Sequence, residues 1–405
     1  MQKLDLFSPK FKTDPFPTYA HMREHCPVYA HEAPYGGNIW YITRHKDVEA
    51  VLRDTSTFVK DPQNAKDGTS KRKGNRLFQM INRNMLFADA PDHTRLRKLV
   101  NLAFTPRRIE KLAPRIQTTA DKLLDAVADQ ASFDLIGSYA FPLPINVIIE
   151  MLGIPAEDRD QMHDWSKAII APGRYGITLK GRKQRVRAFV NYLNGMFDAR
   201  RKHPVDDLIS DLVLAEADGE RLSEAELSSM VALLFVTGHE TVVNLIGNGV
   251  LSLLMHPDQL QTLRENNNLI DQAIEEMLRF DGPVETSTTR WAAKDVELMG
   301  HQIKRGDVVR VVITSANRDG CVHARPDAFD ITRPVSGQNH LAFGKGIHYC
   351  LGAPLARLEG RIAILTLLDR FPNLRLETKI NETEWHTGVI FRGLKQLELG
   401  TGHTN

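Results

Sequence analysis

The sequence predicts a mainly α fold with a minor β part, organised as one domain over residues 1–405. Two observations carry that expectation. From about Pro91 to Ala292 apolar residues recur at spacings of three and four, as in Ile116 to Val127, Val186 to Phe197 and Leu227 to Leu254, which is the period of helices with one buried stripe. Around Val296 to Ile313 the period shortens, and Gly300 and Arg305-Gly306-Asp307 supply turns between β-rich runs that end in Val308-Val309-Arg310-Val311-Val312-Ile313. The smaller β-containing region is expected at about 28–60, 296–335 and 385–398. Pro and Gly are scattered, and no repeat, low-complexity run or linker divides the chain.

Composition narrows the function classes. At 42% hydrophobic and 25% charged, the chain has ample apolar material for a core, and a formal net charge of +2 argues against a nucleic-acid or membrane-surface role. Three cysteines, Cys26, Cys321 and Cys350, are odd in number and far apart, so a disulfide framework is not expected. The first residues mix charges, prolines and apolar side chains with no continuous apolar run, so neither signal peptide nor membrane anchor is expected and the cytoplasm is the expected location.

The elements follow in order. A strand is expected at Ile39-Trp40-Tyr41-Ile42 after Gly36-Gly37, then a helix from His45 to Arg53. His93 and Arg97 are one helical turn apart. The longest helix begins at Ser223, whose spacing to Glu226 is that of a capping box, and runs to about His256 before Pro257. Near its middle lies Thr237-Gly238-His239-Glu240-Thr241. A mid-helix Gly costs roughly 1 kcal/mol relative to Ala, so Gly238 implies a close approach by a ligand or another element. Gly238 and Thr241 share a face, although a Thr bonded back to its own helix and a solvated Glu240 are the plain alternative. Glu276 and Arg279 are also one turn apart, the usual spacing of a surface ion pair.

Cys350 lies in Phe343-Gly344-Lys345-Gly346-Ile347-His348-Tyr349-Cys350-Leu351-Gly352. Glycines on both sides can turn several N–H groups toward one sulfur, and a sulfur held as thiolate can ligate iron. A buried, inert cysteine in a tight turn is the alternative.

The order Phe, Gly, any, Gly, any, His, any, Cys, any, Gly resembles the cysteine-ligand loop of the cytochrome P-450 (haem-thiolate monooxygenase) family, and other landmarks of that family follow in its order. The resemblance implies a long central helix over haem b, with the cysteine-ligand loop beneath it. It implies Cys350 as iron ligand within the Phe343 and Gly344 loop, and His93, Arg97, Arg290 and His348 as partners of the haem propionates. Gly238 would make room for O2 while Glu240 and Thr241 organise protons for O–O cleavage. Thr237 and Val242 depart from the commonest family pattern, and Gly320 replaces the usual Pro after Ala316-Asn317-Arg318-Asp319. Glu276 and Arg279 would lock with Arg333 as a buried triad that organises the segment carrying Cys350.

The implied activity is insertion of one oxygen atom from O2 into a lipophilic substrate of polyketide, steroid or fatty-acyl type. Electrons would come from a ferredoxin or flavodoxin with its reductase. The alternatives are an H2O2-dependent peroxygenase and a non-catalytic haem-binding or sensing protein. The pocket walls are expected from Leu86, Phe87, Ile169, Ile170, Leu233, Leu234, Thr237, Val284 and Ile390. Glu285, Thr286 and Thr288 are expected to add polar contacts there. Arg95, Lys98, Arg107, Arg108, Lys345 and Arg357 are expected to attract an acidic redox partner.

Overall fold

The computed structural model describes residues 4–32, 37–65, 81–170, 176–334, 339–377, 379 and 382–402. They gather into two compact units, one of Met1–Gly68, Ile116–Leu143 and Thr241–Asn405, the other of Thr69–Arg115 and Pro144–Glu240. Each unit draws on separated stretches of chain.

The first unit holds the main sheet. Val28–Glu32 runs antiparallel to Asn38–Ile42, which pairs parallel with Val308–Val311, and Arg290–Ala292 and Phe58–Val59 complete the five strands. Its inward residues Val28, Ile42, Val309 and Val311 pack on Val48, Val51 and Leu52 of the amphipathic helix His45–Arg53. Arg290–Ala292 forms a strand where the sequence read as helical, because Val308 and Val309 offer it an antiparallel ladder. The expected β run also stops early. Ile313–Ala316 is a helical turn, no named strand lies between it and Pro334 among the described residues, and the stretch 385–397 contributes isolated bridges.

Three helices pack together in this unit: the C-terminal half of Glu224–Met255, then Ile270–Phe280 and Ala353–Arg370. They meet closely where Gly360 sits, since a Cβ there would lie 3.0 Å from Leu245 Cδ2 and 3.1 Å from Ile274 Cδ1. The helix Glu224–Met255 starts as its capping box predicts, with Ser223 N donating to Glu226 Oε2 at 2.9 Å, and Pro257 opens the next helix. It is apolar and long enough to span a membrane, but 72% of its most apolar window is buried, as in a core helix.

The second unit is helical. Leu179–Lys202 packs against Arg159–Ile170 and Leu208–Leu214, with Trp165 meeting Phe189 and Tyr192 at ring distances of 5.9 and 5.5 Å and Phe189 stacking on Phe235.

Candidate functional site

The cysteine loop is set by two left-handed glycines. Gly344 has φ +72° and Gly346 φ +74°, and a Cβ on Gly346 would also come within 3.1 Å of Leu52 O, so the loop lies close on the helix His45–Arg53. Cys350 N donates to Phe343 O at 2.9 Å and Gly344 N to Leu341 O at 2.8 Å, closing the loop head to tail. Cys350 is exposed and leads directly into the helix Ala353–Arg370. Arg290 is buried to 2% exposure, donates to Phe58 O at 3.2 Å, and belongs to the same unit as Cys350 and half-buried His348.

His93 is also buried, in the first turn of Asp92–Ala103. Burial and the neighbouring Arg97 guanidinium push its imidazole pKa down. The loop ahead of that helix is shaped by Asn84, which accepts from Leu86 N at 3.1 Å and donates to Ile81 O at 3.0 Å, leaving Leu86 and Phe87 half-buried.

On the central helix, Leu233, Thr237 and Thr241 are half-buried at intervals of four, beside half-buried Gly238, while Leu234, His239 and Glu240 are buried. The half-open stripe therefore carries Gly238 and Thr241 together. Thr237 donates its hydroxyl to Leu233 O at 2.7 Å. A Cβ on Gly238 would meet Ile148 Cδ1 at 3.3 Å.

Glu276 and Arg279 form a buried, bidentate pair instead of a surface pair, and Arg333 Nε reaches Glu276 Oε1 at 3.1 Å. Arg279 also donates to the carbonyls of Asn317, Pro326 and Ala328. The triad thereby braces the segment that leads to the cysteine loop, whose Leu341 N is held by Asn317 Oδ1 at 2.7 Å.

Several expected wall residues have other duties. Glu285 is 1% exposed, with Lys12 Nζ 2.5 Å from one oxygen and the Tyr19 hydroxyl donating to the other, so it anchors the N-terminal segment and is corrected from a pocket contact. Thr286 is buried and donates to Val389 O at 2.7 Å, and Thr288 Oγ1 accepts from buried Lys60. Leu234 packs in the core at 7% exposure. Val284, Ile169 and Ile390 remain half-buried, and the side chain of Ile170 lies outside the described residues.

The expected basic surface is largely compensated. Arg95 pairs with Glu226 and Glu220, Lys98 with Asp218, Arg108 with Asp211 and Asp206, Lys345 with Glu49 and Arg357 with Glu275. Pairing of this kind lowers the field a partner would sense at long range. Sequence reasoning missed Lys12, Tyr19, Glu275 and His340, because nothing local to a residue reports a partner that the fold brings from far along the chain.

A single cysteine at the tip of a glycine-turned loop, with buried Arg290 in the same unit as a cationic group, suits an iron macrocycle bearing carboxylates. The comparisons agree. The Cytochrome P450 family model matches residues 23–392. The vitamin D(3) 25-hydroxylase of Pseudonocardia autotrophica is 42% identical over 404 residues, covering 98% of this chain and 96% of that protein. The solved PksS of the Bacillus subtilis 168 bacillaene polyketide synthase superposes with a TM-score of 0.91 at 40% identity, covering 98% of this chain and 100% of that one. The myxobacterial CYP267B1, solved with myristic acid, superposes at 0.89 with 41% identity over 98% of this chain and 99% of that one. That agreement, along almost the whole chain and in three dimensions, makes this protein a member of the cytochrome P450 family, haem-thiolate monooxygenases that bind haem b through a cysteine.

Proposed function

We propose that this monooxygenase hydroxylates a lipophilic small molecule of polyketide, steroid or fatty-acyl type in the bacterial cytoplasm, with electrons from a ferredoxin or flavodoxin and its reductase. The observation that carries the substrate class is the character of the candidate walls. Leu86, Phe87, Leu233, Val284 and Ile390 are apolar and half-buried, whereas Glu285, Thr286 and Thr288 already hold partners within the protein. Such walls favour burial of hydrocarbon over recognition of many hydroxyls. The relatives' names, a polyketide-synthase P450, a vitamin D(3) hydroxylase and an enzyme holding myristic acid, support the same class.

Haem b, when bound, supplies the activation of O2. Cys350 would hold its iron within the Phe343 and Gly344 loop, and His93, Arg97, Arg290 and His348 would answer its carboxylates. Thr241 and Glu240 would deliver protons beside the space left by Gly238. The experiment is a spin-state titration of the purified holoenzyme with myristic acid, a macrolactone and a secosteroid, followed by NAD(P)H consumption and product analysis with a surrogate ferredoxin and its reductase. A spin shift and a hydroxylated product with one of them are expected. Turnover only with H2O2 would overturn the electron-transfer reading, and a polar ligand shifting the spin state while all three fail would overturn the substrate class.

A further inference from the structure

The helix Ile270–Phe280 presents two successive buried carboxylates, and they turn to different partners. Glu276 serves the triad described above. Glu275 accepts from Arg357 Nε at 2.6 Å and Nη2 at 2.9 Å, a bidentate clasp across to the helix that follows the cysteine. The clasp is completed by His340, whose Nε2 lies 3.0 Å from Glu275 Oε2 while its Nδ1 accepts from Ala342 N at 3.3 Å.

Held in this way, Arg357 faces the cysteine loop. Its guanidinium carbon stands 4.5 Å from the centroid of the Phe343 ring, the first residue of the loop. The His340 ring stands 6.2 Å from Phe343 and the Tyr349 ring 6.3 Å from it. Phe343 O in turn receives Cys350 N at 2.9 Å. The loop's first residue, whose carbonyl receives Cys350 N, therefore touches one guanidinium whose orientation is set by one carboxylate.

We propose that Glu275 is a positioning residue for the cysteine ligand, acting through the fixed plane of Arg357 on Phe343. The inference rests on Cys350 as the iron ligand. Geometry is the operative property, because a guanidinium clasped at two points cannot tilt away from the ring, whereas a lysine ammonium would carry the charge without the plane.

The test uses purified holoenzyme carrying Glu275→Gln, Arg357→Lys or Phe343→Leu, read by the carbon monoxide spectrum of the reduced protein and by the iron midpoint potential. Glu275→Gln should raise the ratio of neutral-thiol to thiolate complex by roughly tenfold, the size of one charge-assisted hydrogen bond, and move the potential upward because Arg357 loses its counter-charge. Arg357→Lys should give a similar ratio. On a Phe343→Leu background the Glu275→Gln effect should largely vanish, as coupled residues behave non-additively.

A wild-type ratio and potential in Glu275→Gln, with only a lower melting temperature, would overturn the proposal and leave Glu275 a stabilising residue. Full rescue by lysine at position 357 would overturn it in favour of charge alone. A wild-type protein that lacks the red-shifted thiolate band altogether would overturn the Cys350 assignment first, and this inference with it.

Discussion

Arg279 grips both oxygens of Glu276, at 2.7 and 2.8 Å, and neither side chain has any exposure to solvent. Removing one member of such a pair strands the other as an uncompensated charge. Glu276→Ala should therefore cost roughly 3–5 kcal/mol in denaturant unfolding of the holoenzyme, with haem release in the same transition. Arg333 is 13% exposed and bonds the carbonyls of Ala324, Arg325 and Ala328 besides Glu276, so water can replace part of what it does. Arg333→Ala should cost less, about 1–2 kcal/mol. Equal losses for the two variants would show that solvent does not reach the triad.

Glu285 and Lys12 make the complementary case. Their contact is almost dry, with side chains 1% and 2% exposed, and Arg392 donates to Lys12 O at 2.6 Å while holding Asp281. Glu285→Ala should destabilise by roughly 3–5 kcal/mol while the spin-shift Kd for a bound ligand moves little. The double change Lys12→Met with Glu285→Gln should recover most of that loss, since it leaves no unpaired buried charge. A changed ligand Kd at unchanged stability would return Glu285 to the pocket wall.

These two pairs also mark what could be read in advance. Glu276 and Arg279 are one helical turn apart and were legible as a pair from spacing, while their burial followed only from the family resemblance. Glu285 and Lys12 are 273 positions apart, and no pattern of period or spacing reports such a meeting. The cysteine loop and the central helix were legible because glycine placement, a capping box and a terminating proline are local physics. Thr286 and Thr288 misled for the opposite reason, as a hydroxyl in sequence does not say whether a backbone carbonyl or a buried lysine has already taken it.

His323 should make the protein acid-sensitive. The ring is 5% exposed, stands 6.0 Å from the His45 ring, and among the described residues its Nε2 meets no hydrogen-bond partner. Burial first, then the charges of Arg279, His45, His340 and Arg333, push its pKa from 6.5 down to about 4. The unfolded chain thus takes up a proton near pH 6.5 that the folded protein refuses until about pH 4, so stability falls as pH drops through that window. The loss attributable to this residue should approach roughly 2 kcal/mol after allowance for solvent screening. Unfolding curves of the wild type and His323→Leu at pH 7 and pH 5 should diverge accordingly, and parallel curves would assign the acid sensitivity to other groups.

The half-open stripe of the central helix separates stability from chemistry. Gly238→Ala adds a methyl 3.3 Å from Ile148 Cδ1, the mobile end of a side chain, while helix propensity favours Ala by roughly 1 kcal/mol. The melting temperature should hold or rise, yet O2-dependent turnover should fall if the gap at Gly238 is the room that the family resemblance assigns to O2. Thr241→Ala removes a hydroxyl from the same stripe without enlarging any side chain, so folding and the thiolate carbon monoxide band should persist. Electrons from NAD(P)H should then appear as H2O2 instead of product, because proton delivery and not haem binding has been lost. Measured side by side, the two variants divide the stripe into room and protons. Tight coupling in Thr241→Ala would remove that hydroxyl from the proton path and leave Glu240 to supply it alone.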